Sequence, residues 1–79
     1  MKWIWINDQL INLTRCTDIL MATDFTDPEY QGILFRFEDS YNRRYETSNY
    51  PEVIAIVMRF LNSSDEHILN LQEVLDETN

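Results

Sequence analysis

Residues 33–47 constrain the fold most tightly, because two alternating runs there face each other across a short polar break. Ile33, Phe35 and Phe37 alternate with Leu34, Arg36 and Glu38, and a second run follows from Arg43 to Thr47. A period of two is the mark of a half-buried strand, so this segment is expected to be a β-hairpin. A three-residue loop, Ser40-Tyr41-Asn42, with Asn42 in the left-handed position, sets Glu38 opposite Arg44 and Arg36 opposite Glu46. It also sets Phe37 against Tyr45 and Phe35 against Thr47 on the inner side. Each such pair contributes only about 0.2–1 kcal/mol, but all four agree, and a slip of one residue mixes the two faces.

Further strands precede the hairpin. Trp3 and Trp5 alternate with Ile4 and Ile6, which makes the first strand apolar on both faces and suggests cover, at least in part, on both. Asn7-Asp8-Gln9 supplies turn chemistry, since Asn and Asp tolerate left-handed backbone angles. A second strand follows over residues 10–13, with Ile11 and Leu13 on one face, and a third is expected over residues 18–23. Residues 24–32 carry the longest loop signal, with Asp27-Pro28 at the centre and Gly32 at the end. Phe25 and Tyr30 are unusual residues for such a loop.

The chain then changes period. Asn49 is placed to cap a helix, Pro51 suits its first turn, and Glu52 stands at capping-box spacing. Val53, Ile56, Val57, Phe60 and Leu61 form an apolar stripe that Ile54 and Met58 widen, so this helix needs cover on more than one side. Asn62-Ser63-Ser64 breaks it. Ser63 and Glu66 repeat the capping spacing, and Ile68, Leu71, Val74 and Leu75 recur at helical intervals, which predicts a second, acidic helix over residues 64–76. The expected fold is α+β in a single domain spanning 1–79. An antiparallel meander of four to five strands occupies 1–48, a first helix 49–62 and a second 64–76. A rolled, pleckstrin-like half-barrel capped by a helix is one concrete form.

Charge limits the function. Of the net −8, residues 63–79 carry −5 with no Lys or Arg, which leaves −3 for the rest. A field of that sign repels nucleic acid and anionic lipid and favours basic partners, and six scattered cations do not make a nucleic-acid-binding face. The Trp-Ile-Trp-Ile run after Lys2 is too short for a signal-peptide core or a membrane span, so no membrane association and a cytoplasmic location are expected. With Cys16 as the single cysteine, no intramolecular disulfide can form.

No catalytic, cofactor or metal constellation is legible. His67, the only histidine, sits beside Asp65 and Glu66 without a nucleophile or further ligands, and reads as a solvated helix residue. Cys16 reads as a buried structural thiol. Asp24, Asp27 and Glu29 lack the spacing of a calcium loop, and one glycine cannot make a phosphate-cradling loop. The aromatics carry more weight: Trp3, Trp5, Phe25, Tyr30, Tyr41, Tyr45 and Tyr50 are many for so small a body. The plainest view buries the tryptophans and leaves Tyr30, Tyr41 and Tyr50 reachable.

Those tyrosines, with Glu73, Asp76 and Glu77 of the acidic helix, are the candidate partner-binding residues. The expected function is a non-enzymatic protein-binding module, an adaptor or small subunit, acting through aromatic and apolar surface on a protein partner, basic in one version. The rival is an acidic inhibitor that imitates nucleic acid in a basic enzyme cleft. The spare helix face also leaves a homodimer open.

Overall fold

The computed structural model describes residues 1–24, 27–39 and 41–78, with residues 21–24 and 27–30 described by their backbone alone. Phe25 and Ser40, and the side chains of Asp24, Asp27, Glu29 and Tyr30, lie outside the described residues. The elements in chain order are β1 (Trp3–Ile6), β2 (Gln9–Asn12), β3 (Cys16–Asp24), β4 (Asp27–Phe37), β5 (Asn42–Glu46), α1 (Tyr50–Asn62), β6 (Ile68–Asn70) and α2 (Leu71–Thr78). The fold is α+β, with a β3-β4-β5 antiparallel meander and two helices. Its strands divide between two open three-stranded sheets, ordered β2-β1-β6 and β3-β4-β5.

The β1–β2 hairpin forms as its turn residues dictate. Asn7 and Asp8 both take positive φ, 51° and 58°, joining Ile6 to its partner Gln9 by a two-residue turn. Positive φ at both central positions matches the right-handed strand twist, and Asn and Asp tolerate it better than branched residues do. On the other flank β1 pairs in parallel with β6, Trp3 beside Ile68 and Trp5 beside Asn70.

Three sequence expectations are corrected. First, residues 27–32, expected within a loop, are the beginning of one long strand that continues through the expected strand to Phe37. Gly32 lies in its middle, opposite Ala22 of β3 and Glu46 of β5, and Pro28 is confined to the strand's beginning, where a missing N–H is tolerated.

Second, the β4–β5 register pairs Ile33 with Tyr45, Phe35 with Arg43 and Arg36 with Asn42. The connection closes between Phe37 and Tyr41, whose backbone N–H and carbonyl bond at 3.2 Å. Asp39 Oδ1 accepts the Tyr41 N–H at 3.1 Å and shapes the turn. Arg36 accordingly pairs with Asp18 of β3, Nε to Oδ2 at 3.0 Å, and not with Glu46.

Third, the helix expected over 64–76 begins only at Leu71. The Ser63 hydroxyl does accept the N–H groups of Asp65 (3.3 Å) and Glu66 (3.2 Å), but residues 68–70 leave helical geometry to pair with β1. Asn70 supplies the actual cap, its Oδ1 accepting the Glu73 N–H at 3.0 Å.

Helix α1 starts after Asn49, whose side chain makes no cap bond to the backbone and instead donates Nδ2 to Glu52 Oε2 at 2.5 Å. Its other end is held by Lys2, whose Nζ donates to the carbonyls of Phe60 (3.0 Å), Ser63 (2.5 Å) and Glu66. The ammonium also lies 4.7 Å from the centre of the Phe60 ring. One core joins the layers: Ile4, Ile6 and Ile11 from one sheet, Ile33, Phe35 and Tyr45 from the other, Val53, Val57 and Phe60 from α1, and Leu71 and Leu75 from α2. Phe35 and Tyr45 meet edge to face at 5.9 Å, a favoured aromatic geometry. No helix among the described residues is long and apolar enough to cross a membrane.

Candidate partner-binding surface

In β1, Ile4 and Ile6 are fully buried and turn toward the core. The alternation of a strand must then turn Trp3 and Trp5 the other way. Paired residues share a face, so pairing fixes what surrounds them: Asn12 and Ile68 flank Trp3, and Leu10 and Asn70 flank Trp5. This outer face carries four apolar side chains between two amides. Trp5 is 38% exposed, Leu10 48% and Ile68 59%, while Trp3 is half-buried. No described element lies across it. The expectation that the tryptophans belong to the core is corrected: the strand is apolar on both faces, but the core covers only the isoleucine face.

Tyr41 is exposed at 59% beside the β4–β5 connection, with the Arg43 guanidinium 5.0 Å from its ring centre. Arg43 also donates Nη1 to Gln9 Oε1 at 2.9 Å, tying the two sheets together. Tyr50 opens α1 and is half-buried against the core. Tyr30 belongs to β4. The three tyrosines therefore sit apart, on β4, in the β4–β5 connection and on α1.

Glu73, Asp76 and Glu77 are all exposed on α2, at positions i, i+3 and i+4 that share one helix face. Asp76 Oδ1 accepts from Gln72 Nε2 at 3.1 Å, and Gln72 Oε1 accepts the Asn7 N–H at 3.2 Å, which binds α2 to the β1–β2 turn.

Cys16 and His67 stand apart from each other's chemistry. The Cys16 thiol donates to the Asp18 carbonyl at 3.6 Å, and burial is the main cause that pushes its pKa up, so it stays protonated at neutral pH. His67 is exposed just before β6, and its carbonyl accepts the Trp3 N–H at 2.9 Å. Among the described residues, no three His, Cys, Asp or Glu side chains gather to hold a metal ion. The Arg36 guanidinium, followed by the Thr17 hydroxyl, holds the Asp18 carboxyl below its ordinary range.

Sequence reasoning placed the reachable aromatics at tyrosines and missed the face of Trp3, Trp5, Leu10 and Ile68. The available signal was the Trp-Ile-Trp-Ile run itself, since a three-stranded sheet in so short a chain has little material to cover its second face. Comparison with protein-family models, with curated proteins and with solved structures finds no match.

Proposed function

We propose that this chain is a non-enzymatic protein-binding module that docks a partner protein on the outer face of the β2-β1-β6 sheet. The observation that carries the proposal is the side-by-side exposure of Trp5, Leu10 and Ile68, with Trp3 half-buried among them. Tryptophan dominates binding hot spots because it combines large area, few rotatable bonds and a polar N–H. Asn12 and Asn70 supply hydrogen-bonding groups within the same face, the mixture that interface centres and their rims use. A stable interface buries about 800 Å² on each partner, so these side chains form the centre of a larger footprint. Tyr41, with its stacked Arg43, is a second exposed aromatic available to a partner.

The rival is an acidic mimic of nucleic acid acting through Glu73, Asp76 and Glu77, which α2 displays on one exposed face. Salt separates the two. The experiment is capture of host proteins on the immobilised chain with stepwise salt elution, repeated with Trp5→Ala, Leu10→Asp and the double reversal D76K/E77K. The proposal expects a captured protein that resists 0.5 M salt and is lost with Trp5→Ala or Leu10→Asp. Elution at low salt, with loss only in the charge reversal, assigns the mimic instead, because exposed charge pairs are screened over about 10 Å at 0.1 M salt.

A further inference from the structure

Three backbone carbonyls at and beyond the end of α1 converge on one point. Those of Phe60, Ser63 and Glu66 all accept from the Lys2 ammonium, at 3.0 Å for Phe60 and 2.5 Å for Ser63. The centre of the Phe60 ring lies 4.7 Å from the same nitrogen. A primary ammonium carries three N–H donors and no acceptor. Three carbonyls therefore match it donor for acceptor, and the ring face adds a cation–π contact. The Lys2 backbone is anchored separately, its carbonyl accepting the Leu13 N–H at 2.9 Å.

The carbonyls are held in place by bonds that do not involve the lysine side chain. The Ser63 N–H donates to the Phe60 carbonyl at 3.1 Å, and the Ser63 hydroxyl accepts the N–H groups of Asp65 and Glu66. These bonds set the turn that carries the second and third carbonyls. His67, next in the chain, is fixed by the Trp3 N–H on its carbonyl, and Ile68 onward pairs with β1. The charge of the surroundings agrees with a cation: a helix C-terminus is negative, Asp65 and Glu66 stand exposed in the turn, and residues 63–79 hold five acids and no Lys or Arg. A cleft of about 400 Å³, with Phe60, Ser63 and Glu66 in its lining, opens beside them and gives a small ion access from solvent. Arg59 also lines this cleft, but it is exposed and its charge is screened by water.

We infer that the carbonyls of Phe60, Ser63 and Glu66, with the Phe60 ring, form a recognition site for a primary ammonium group, and that Lys2 is its resident, tethered ligand. A free primary ammonium ion takes the site when the Lys2 amine is missing. The donor set selects this class of ligand. Three neutral carbonyls supply neither the carboxylates nor the six or more oxygens that calcium takes, and a quaternary ammonium has no N–H to donate to them. By strand alternation Lys2 points to the same side of β1 as Ile4 and Ile6, so the site is separate from the tryptophan face and does not rest on the docking proposed there.

The test is chemical rescue of Lys2→Ala, which empties the site. The whole chain is titrated with methylammonium chloride, and in parallel with tetramethylammonium chloride, which has equal charge and no N–H. Methylammonium is expected to raise the Tm of the variant saturably, by about 3 °C more than the control at a few times its dissociation constant. It is also expected to move the carbonyl-carbon NMR signals of Phe60, Ser63 and Glu66, while the wild type, whose site is filled, responds alike to both salts. If the variant is unfolded, the same titration reads recovered circular dichroism in place of Tm. A second measurement needs no variant: in isotope-labelled wild type the Lys2 ammonium nitrogen is expected to show couplings across its hydrogen bonds to the same three carbonyl carbons. Equal responses of Lys2→Ala to the two salts, carbonyl shifts centred elsewhere, or absence of those couplings overturns the inference.

Discussion

Lys2→Met removes a cation that closes the end of α1 while keeping most of the apolar stem over Phe60. In the wild type the ammonium donates to the carbonyls of Phe60, Ser63 and Glu66 and lies 4.7 Å from the Phe60 ring centre. Hydrogen bonds to a charged group contribute about 1.5–3 kcal/mol when well buried. This site is partly exposed and water can replace part of each bond, so a smaller share, about 0.5 kcal/mol for each of three, is appropriate. A cation at a helix C-terminus contributes about 0.3–1 kcal/mol, and the ring contact about 0.5 kcal/mol. Together these give a loss of about 2–3 kcal/mol, and at about 4–8 °C per kcal/mol for a domain of this size Tm falls by roughly 10–20 °C. Urea unfolding followed by tryptophan fluorescence and circular dichroism measures it. Lys2→Arg retains the charge and is expected to recover at least half of the loss. If Lys2→Met costs less than about 0.5 kcal/mol, the range of ordinary surface substitutions, Lys2 is not the clasp that joins β1 to α1.

Other predictions probe register, capping and the thiol. Hα–Hα contacts in NMR spectra are expected between Leu34 and Arg44 and between Arg36 and Asn42, the pairs that do not exchange backbone bonds. Contacts between Arg36 and Glu46 would restore the register suggested by charge. Asn70→Ala removes the acceptor for the Glu73 N–H and is expected to lower stability by about 1 kcal/mol. Replacement by Asp, which also caps, should recover it in the same urea series. Cys16 is expected to react with iodoacetamide more slowly than an unstructured cysteine peptide at pH 8. Its raised pKa means the unfolded chain releases the thiol proton first, so this group's contribution to stability declines as pH rises above the unfolded cysteine value of about 8.5. Equal rates for protein and peptide would place the thiol in open solvent.

Much of the fold was readable because local and global preferences agree. Asn7 and Asp8 form the turn that their chemistry favours, Ile11 and Leu13 do share a buried face, and the stripe of Val53, Val57 and Phe60 faces the core. The β4–β5 register was not readable from pattern. The suggested and observed pairings differ by four residues, an even shift that keeps every inward side chain inward. The apolar alternation therefore could not choose between them, and the charge argument overlooked Asp18 on the opposite neighbour as the partner of Arg36.

Residues 68–70 show the limit of helical spacing. Ile68 and Leu71 fit a helical stripe, yet parallel pairing with β1 at the far end of the chain claims Ile68 for a strand. Nothing local announces such a contact. The candidate site was half legible: an excess of aromatics pointed to binding, but which aromatics face outward depends on how many layers cover β1, a property of the assembled sheets.

The most direct test of the central claim is the affinity of the captured partner for the wild type, Trp5→Ala and D76K/E77K, measured by titration calorimetry at 0.15 M salt. An interface centred on β1 predicts at least a 30-fold loss for Trp5→Ala, the ~2 kcal/mol of a hot spot. It predicts less than a threefold change for the charge reversal. Unaltered affinity in Trp5→Ala, with the loss confined to D76K/E77K, would contradict the account.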